Sequence, residues 1–265
     1  MEKKFELLDR DEYWGFPMNN IVLHIPHSCL KLPFGFLKNA IVNKEVVKNF
    51  NNAITDLYTS NLFGKNKYSK VITKYSRIYC DVEKFADDSK EIMSKFGMGF
   101  VYTHTNTGKH FFNPSEEYKT NIFSNYYIKH HNKLDSVVSK TLEKGTTLLI
   151  DCHSFSRDII MFEDKKNNLP DICIGFDELY NSEKLVNYIK TYFENCGYNV
   201  QFNYPYSGTI IPNKYFKEKA NNLFCVMIEI NKNLYIYENN NKNSNFQKLR
   251  NQIQTLLHEL ENLNV

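Results

Sequence analysis

Two stretches, Thr146–Cys152 (TTLLIDC) and Leu223–Ile230 (LFCVMIEI), constrain the fold of this 265-residue chain more than any other feature. Both are nearly continuous apolar runs, without the polar alternation of a strand that has one wet face. Strands of that kind are covered on both sides, and the usual cover is helices packed on a parallel or mixed sheet. The remaining pattern agrees. Asn20–Ile25 (NIVLHI) reads as a short strand stopped by Pro26, and Lys70–Ile72, Ile78–Val82 and Asn199–Asn203 as further strands. Asn43–Phe63 has apolar residues at helical spacing (Val47, Phe50, Ile54, Leu57) and stops at Gly64. Asn121–Lys144 reads as a long amphipathic helix closed by Gly145, Ser182–Cys196 as a helix ended by Gly197, and Phe246–Leu263 as a closing helix. With no internal repeat and no linker, the expectation is a single α/β domain over residues 1–265. Its three layers, αβα, enclose a mixed, mostly parallel sheet.

Composition excludes several classes of function. A net charge of +3 is too small for binding nucleic acid or a membrane surface by field alone. No run approaches 18 apolar residues, the length of a membrane span. The N-terminal MEKKFELLDRDEYW breaks its apolar residues with charges and offers no signal-peptide core. The 6 cysteines are scattered without a CxxC pair, and 4 sit in apolar, strand-like surroundings where free Cys acts as a small hydrophobe. The expectation is a reduced, cytoplasmic protein. A chain of this size buries roughly three quarters of its unfolded surface, so its core needs neither metal nor disulfide.

Chemistry-bearing residues therefore ask for another explanation. In open α/β sheets, ligands collect at the carboxyl ends of the strands. IVLHIPHS delivers His24 and His27 there, LLIDCHSFS delivers Asp151, His153 and Ser154, and VMIEIN delivers Glu229. Two imidazoles and a carboxylate, with one position left for water, are the ligand set of a catalytic zinc. Asp56 in ITDLY is a candidate for that carboxylate, although on a helix it is equally well surface charge. His24 and His27 lie across a proline, so their side chains need not point the same way, and His27 is the better ligand. His130 and His131 on the long helix read as one surface and one core residue. Glu229, inside an apolar strand, is buried, and buried Glu is rare unless paired, metal-linked or catalytic.

The blocks LHIPHSC, SRIYCDVEKFADD, FGMGFVYTHTNTGKH, LIDCHSFS, NYPYSG and IEINKNLYI, in that order, resemble the N-formylglutamate amidohydrolase family over about residues 20–236. The resemblance implies a zinc-dependent amidohydrolase with one zinc per chain and a fold similar to the zinc carboxypeptidases. Those enzymes present a His-Ser pair after an early strand, a second after a central strand, and a catalytic Glu on a late strand; here these are His27-Ser28, His153-Ser154 and Glu229. Carboxypeptidases take their zinc carboxylate three residues after the first His, where this chain has Leu30. Asp56 matches the downstream Thr-Asp of the amidohydrolases and becomes the expected third ligand. Lys84 stands where many relatives carry Arg, and it lacks the bidentate fork that Arg offers a carboxylate.

The expected site is thus a metal held by His27, Asp56 and His153, with Glu229 as general base and Arg77 stabilising the oxyanion or anchoring a substrate carboxylate. Arg77 has an alternative role as an ion-pair partner of Asp81 or Glu83. Lys84 and the Tyr206-Ser207-Gly208 turn are expected to bind substrate. Asp151, two residues before His153, either orients it or reaches the metal itself. The expected substrate is a small N-formyl or N-acyl amino acid. The alternatives are a zinc peptidase or peptidoglycan-type amidase, and a non-catalytic binding protein with this fold.

Overall fold

The computed structural model describes residues 18, 20–64, 67–160 and 167–263, so the N-terminal stretch read above for a signal peptide lies outside the described residues. The strands are β1 (Asn20–Ile25), β2 (Ser69–Ile72), β3 (Thr147–Phe155), β4 (Ile172–Gly175), β5 (Val200–Phe202) and β6 (Leu223–Asn231). They form one sheet in the order β2-β1-β3-β6-β4-β5. β2, β1, β3 and β6 are mutually parallel, β4 runs antiparallel to β6, and β5 is parallel to β4. The helices are α1 (Lys44–Ile54), α2 (Thr59–Phe63), α3 (Glu116–Ile122), α4 (Ile128–Leu142), α5 (Glu183–Asn195), α6 (Asn213–Lys217) and α7 (Phe246–Glu261). Among the described residues no helix is long and apolar enough to cross a membrane.

The period-2 alternation of the central strands sorts their side chains. Leu148, Ile150 and Cys152 of β3 and Val226, Ile228 and Ile230 of β6 pack into one core with α2, α5 and α7. Leu149 of β3 and Leu223 and Cys225 of β6 pack on the opposite face against Leu134 and Val138 of α4. His24, Asp151, His153, Met227 and Glu229 continue that second face toward the carboxyl ends. The two apolar runs are thus covered on both sides, and the expected three layers and mixed sheet are present.

Three local expectations fail, and each failure moves a polar side chain. The expected single helix over 43–63 is two, because Thr55 is extended and Tyr58 takes a left-handed φ of 65°. The Asp56 amide donates to the His27 carbonyl at 2.9 Å, so Asp56 sits on the link between α1 and α2 rather than on a helix face. The expected strand at Ile78–Val82 is a turn, closed by Tyr79 and Cys80 amides on the Ser76 carbonyl. Its apolar residues Ile78, Cys80 and Val82 belong to a separate core with Val47, Phe50 and Phe111. The long helix begins earlier than expected, at α3 with Ser115 as its N-cap, and passes through a π-helical turn (Phe123–Tyr127) before α4. That turn sets Tyr126 to accept from the Lys74 and Tyr75 amides and Tyr127 to donate to the Lys84 carbonyl, bracing the segment that carries Arg77, Asp81 and Glu83. β4 gave no distinct signal in the sequence.

Candidate active site

The strand ends open into a cavity of about 570 Å³ lined by His27, Asp56, Arg77, Glu83, Lys84, His153, Tyr206, Ser207, Gly208 and Glu229, with others. Every residue expected at the site from sequence is in that lining. His27 and His153 face each other with ring centroids 5.0 Å apart. Asp56 Oδ2 accepts from the Ser154 amide at 3.1 Å and lies 3.1 Å from His153 Nδ1 and 3.9 Å from His27 Nδ1. Glu229 is opposite His153 in the β3–β6 register.

The other edge of the two imidazoles meets carboxylates, of which only Asp151 is expected there from sequence. His27 Nε2 is 2.9 Å from Asp81 Oδ1 and 3.4 Å from Glu83 Oε2. His153 Nε2 is 3.2 Å from Glu83 Oε1 and 3.0 Å from Asp151 Oδ1. Asp151 therefore contacts His153 as one of the two expectations required, and it also bonds His24 Nδ1 at 2.8 Å and the Ile210 amide at 3.2 Å. His24 Nε2 meets His130 Nε2 at 2.9 Å. His130 and His131 are both buried, against the expectation of one at the surface; α4 presses His130 on β1, and His131 Nε2 donates to the Val82 carbonyl at 2.8 Å.

Arg77 is held on one side, its Nε and Nη2 donating to Asp81 Oδ2 at 3.0 and 2.8 Å. Its Nη1 lies 4.0 Å from Asp56 Oδ1. Lys84 Nζ sits 3.5 Å from Glu91 Oε1. The Tyr206 ring packs edge-on to Phe155 at 6.0 Å, and the loop crosses close over Gly175, where an added Cβ would strike the Gly208 carbonyl and Met227. Lys232 escaped the sequence reading because it follows the last apolar residues of β6. It is buried, and its Nζ donates to the Ala53 carbonyl at 3.0 Å, a cation at the carboxyl end of α1. Asp81 and Glu83 carry a signal, two acids in alternation in CDVEK, but beside Arg77 that pattern points to an ion pair rather than to the histidines.

Burial and mutual charge set the proton affinities. Burial, with the charges of Asp56 and Glu83, pushes Glu229 up to about 8 against the pull of His153. Burial takes Lys232 down to about 8, opposed by Asp56. Burial would raise Asp81, but the Arg77 guanidinium and His27 hold it well below the usual carboxylate range. Burial would lower His153, yet Glu83 and Asp151 hold it above the ordinary imidazole range.

Whether these residues suit a metal ion is tested by their unsatisfied atoms. His27 Nδ1, Asp56 Oδ1 and Glu229 Oε2 are buried and have no hydrogen-bond partner. Thr209 Oγ1, also in the cavity lining, is a fourth such atom; buried polar atoms are nearly always paired, so orphans gathered in one cavity ask for a missing partner. Two imidazoles and a carboxylate are the donors of a catalytic zinc, so the residues fit such an ion. One donor atom each from His27, Glu83 and His153 also lies within 4.8 Å of the others, as do donors from His24, Glu83 and Asp151.

The sequence matches the family model for N-formylglutamate amidohydrolase over residues 19–236. A crystal structure of N-formylglutamate amidohydrolase from Ralstonia eutropha JMP134 superposes with a TM-score of 0.77 at 19% identity, covering 93% of this chain and 95% of that one. A crystal structure of a gene product from Agrobacterium tumefaciens superposes with a TM-score of 0.62 at 18% identity, covering 92% of this chain and 88% of that one. At those identities the superpositions speak for the fold. No functionally curated protein matches the sequence.

Proposed function

The chain belongs to the N-formylglutamate amidohydrolase family, and we propose that it is a zinc-dependent amidohydrolase acting on a small N-formyl or N-acyl amino acid. The observation that carries this reading is that three of the unpartnered buried atoms in one cavity, His27 Nδ1, Asp56 Oδ1 and Glu229 Oε2, belong to an imidazole and two carboxylates. His27, Asp56 and His153 would hold one zinc per chain. When bound, the ion supplies Lewis acidity, polarising an amide carbonyl and bringing the pKa of a water toward neutrality.

The chain's own groups do the rest. Asp81 accepts the Nε2 proton of His27, and Asp151 and Glu83 face Nε2 of His153. Those contacts fix the ring orientations and leave the Nδ1 lone pairs for coordination. Glu229 takes the proton of the attacking water at its unpartnered oxygen and passes it to the leaving amine. Its buried, raised carboxyl suits both halves of that transfer, since a base and acid near neutrality needs an affinity close to the working pH. Arg77, held through Asp81, presents its Nη1 to the carbonyl oxygen on which charge develops. Lys84 and the Tyr206-Ser207-Gly208 turn hold the α-carboxylate and backbone of the amino-acid half.

The test is zinc content together with amine release from a panel of N-formyl and N-acyl amino acids, for the purified protein and for His153→Ala. About one zinc per chain, lost in the variant along with hydrolysis, is the expected result. Absence of both metal uptake and hydrolysis in the unmodified protein, after zinc is supplied, overturns the reading in favour of a binding protein.

A further inference from the structure

Resting on that amide-hydrolysis reading, we infer that the preferred amino-acid half carries an apolar side chain of the methionine or leucine kind, rather than a second carboxylate. Part of the cavity wall is a cluster of apolar side chains: Ile92, Met93 and Met98 come from the segment after Glu91, and Ile159 and Ile160 from the turn after β3. Met98 and Ile160 are buried, whereas Ile92 is 66% exposed and so forms a rim.

The charges point the same way. Among the described lining residues, the acids Asp56, Glu83, Glu91, Asp151 and Glu229 face two side chains of permanent positive charge, Arg77 and Lys84. Arg77 has two of its nitrogens committed to Asp81 at 2.8 and 3.0 Å. Lys84 stands by Glu91, whose carboxylate is itself fixed by the Phe85 and Met93 amides at 3.2 and 3.0 Å. One cation at the reacting carbonyl and one at the α-carboxylate exhaust that set. A side-chain carboxylate would then lie against methionine and isoleucine without a cation to pair with, in a cavity already rich in acids. Burying an unpaired charge is costly, while the same wall favours a methylene or thioether.

The experiment is kcat/KM for N-formylmethionine, N-formylleucine and N-formylglutamate with the zinc-supplied protein, alongside calorimetric binding of L-methionine and L-glutamate to the same protein. A single methylene in an apolar pocket discriminates about 10- to 200-fold, so a preference of at least about tenfold for N-formylmethionine is expected, with methionine binding more tightly than glutamate. Ile92→Arg, a change at an exposed rim position that leaves the core untouched, should raise kcat/KM for N-formylglutamate about tenfold and narrow the preference. Equal or better use of N-formylglutamate by the unmodified protein overturns the inference and leaves amide hydrolysis standing. Should no substrate turn over, the hydrolytic reading fails, and the binding comparison still decides this one: glutamate bound as tightly as methionine overturns it, and methionine bound preferentially supports it.

Discussion

The two edges of the His27–His153 pair are built differently. On the Nε2 edge every imidazole nitrogen has a carboxylate within 3.0 Å, from Asp81 or Asp151, and Glu83 stands close to both rings. On the Nδ1 edge, His27 Nδ1 and one oxygen of Asp56 are buried with no hydrogen-bond partner, as is one oxygen of Glu229 in the same cavity. The first edge is a finished hydrogen-bond network, which holds rings rigid and keeps their tautomers. The second is a set of donors waiting for something. Proximity alone does not separate them, because Glu83 lies 3.4 Å from His27 Nε2 and 3.2 Å from His153 Nε2. The orphaned atoms do separate them, and they are the reason for proposing Asp56 rather than Glu83 as the carboxylate ligand.

Removing a ligand from each edge gives the largest contrast. Asp56→Asn and His153→Ala should each abolish stoichiometric zinc by elemental analysis, while Glu83→Gln keeps about one ion per chain. The opposite pattern, metal lost with Glu83→Gln and kept with Asp56→Asn, would put the ion on the Nε2 edge. Next in size is Glu229→Gln, which should retain zinc and lower kcat about 10²- to 10⁴-fold, the usual worth of a positioned acid–base group. Near-normal kcat in that variant removes Glu229 from the proton transfer.

Asp81→Asn acts through His27 rather than on the ion. It should weaken zinc affinity about 10- to 100-fold, the cost commonly seen when a carboxylate behind a ligating histidine is lost. An unchanged affinity in a competitive chelator titration would mean that the Asp81–His27 bond does not support the site.

The smallest effect concerns stability. Burial, then the neighbouring His24 and His131, take His130 from 6.5 down to about 2. The unfolded chain therefore binds a proton that the folded chain refuses between those values. Stability from this source is complete above pH 6.5 and is lost as pH falls below it, about 2 kcal/mol between pH 7 and pH 5. His130→Gln should flatten that part of the urea-midpoint profile, and an unchanged slope would assign the acid sensitivity to other groups.

Much of this could be read in the chain itself. The apolar runs of β3 and β6 required cover on both faces, and they received it. A Glu inside such a run had to be buried, and Glu229 is. The strand ends named His27 and His153 before any distance was known, because alternation along β3 and the stop at Pro26 leave little freedom there. Asp56 was harder. Its local pattern continued a helix, and only a tertiary bond from its amide to the His27 carbonyl breaks that helix and turns the carboxylate into the cavity. Arg77's ion pair with Asp81 is one of its two expected roles, but the turn at Ser76–Cys80 that brings the pair together is hidden by apolar alternation that reads as a strand.

What the sequence determined alone was therefore whatever depends on short-range periodicity and on the cost of burying polar groups: the α/β class, the covered central strands, and the reactive types at their carboxyl ends. What the tertiary structure alone decided was the pairing of those groups across the molecule. Asp81 with His27, Glu83 between two histidines, and His24 against His130 join residues 54, 70 and 106 positions apart along the chain. Such contacts are set by loop closure and side-chain packing, which no local pattern encodes, and they decide which imidazole nitrogens are satisfied and which are left free to bind.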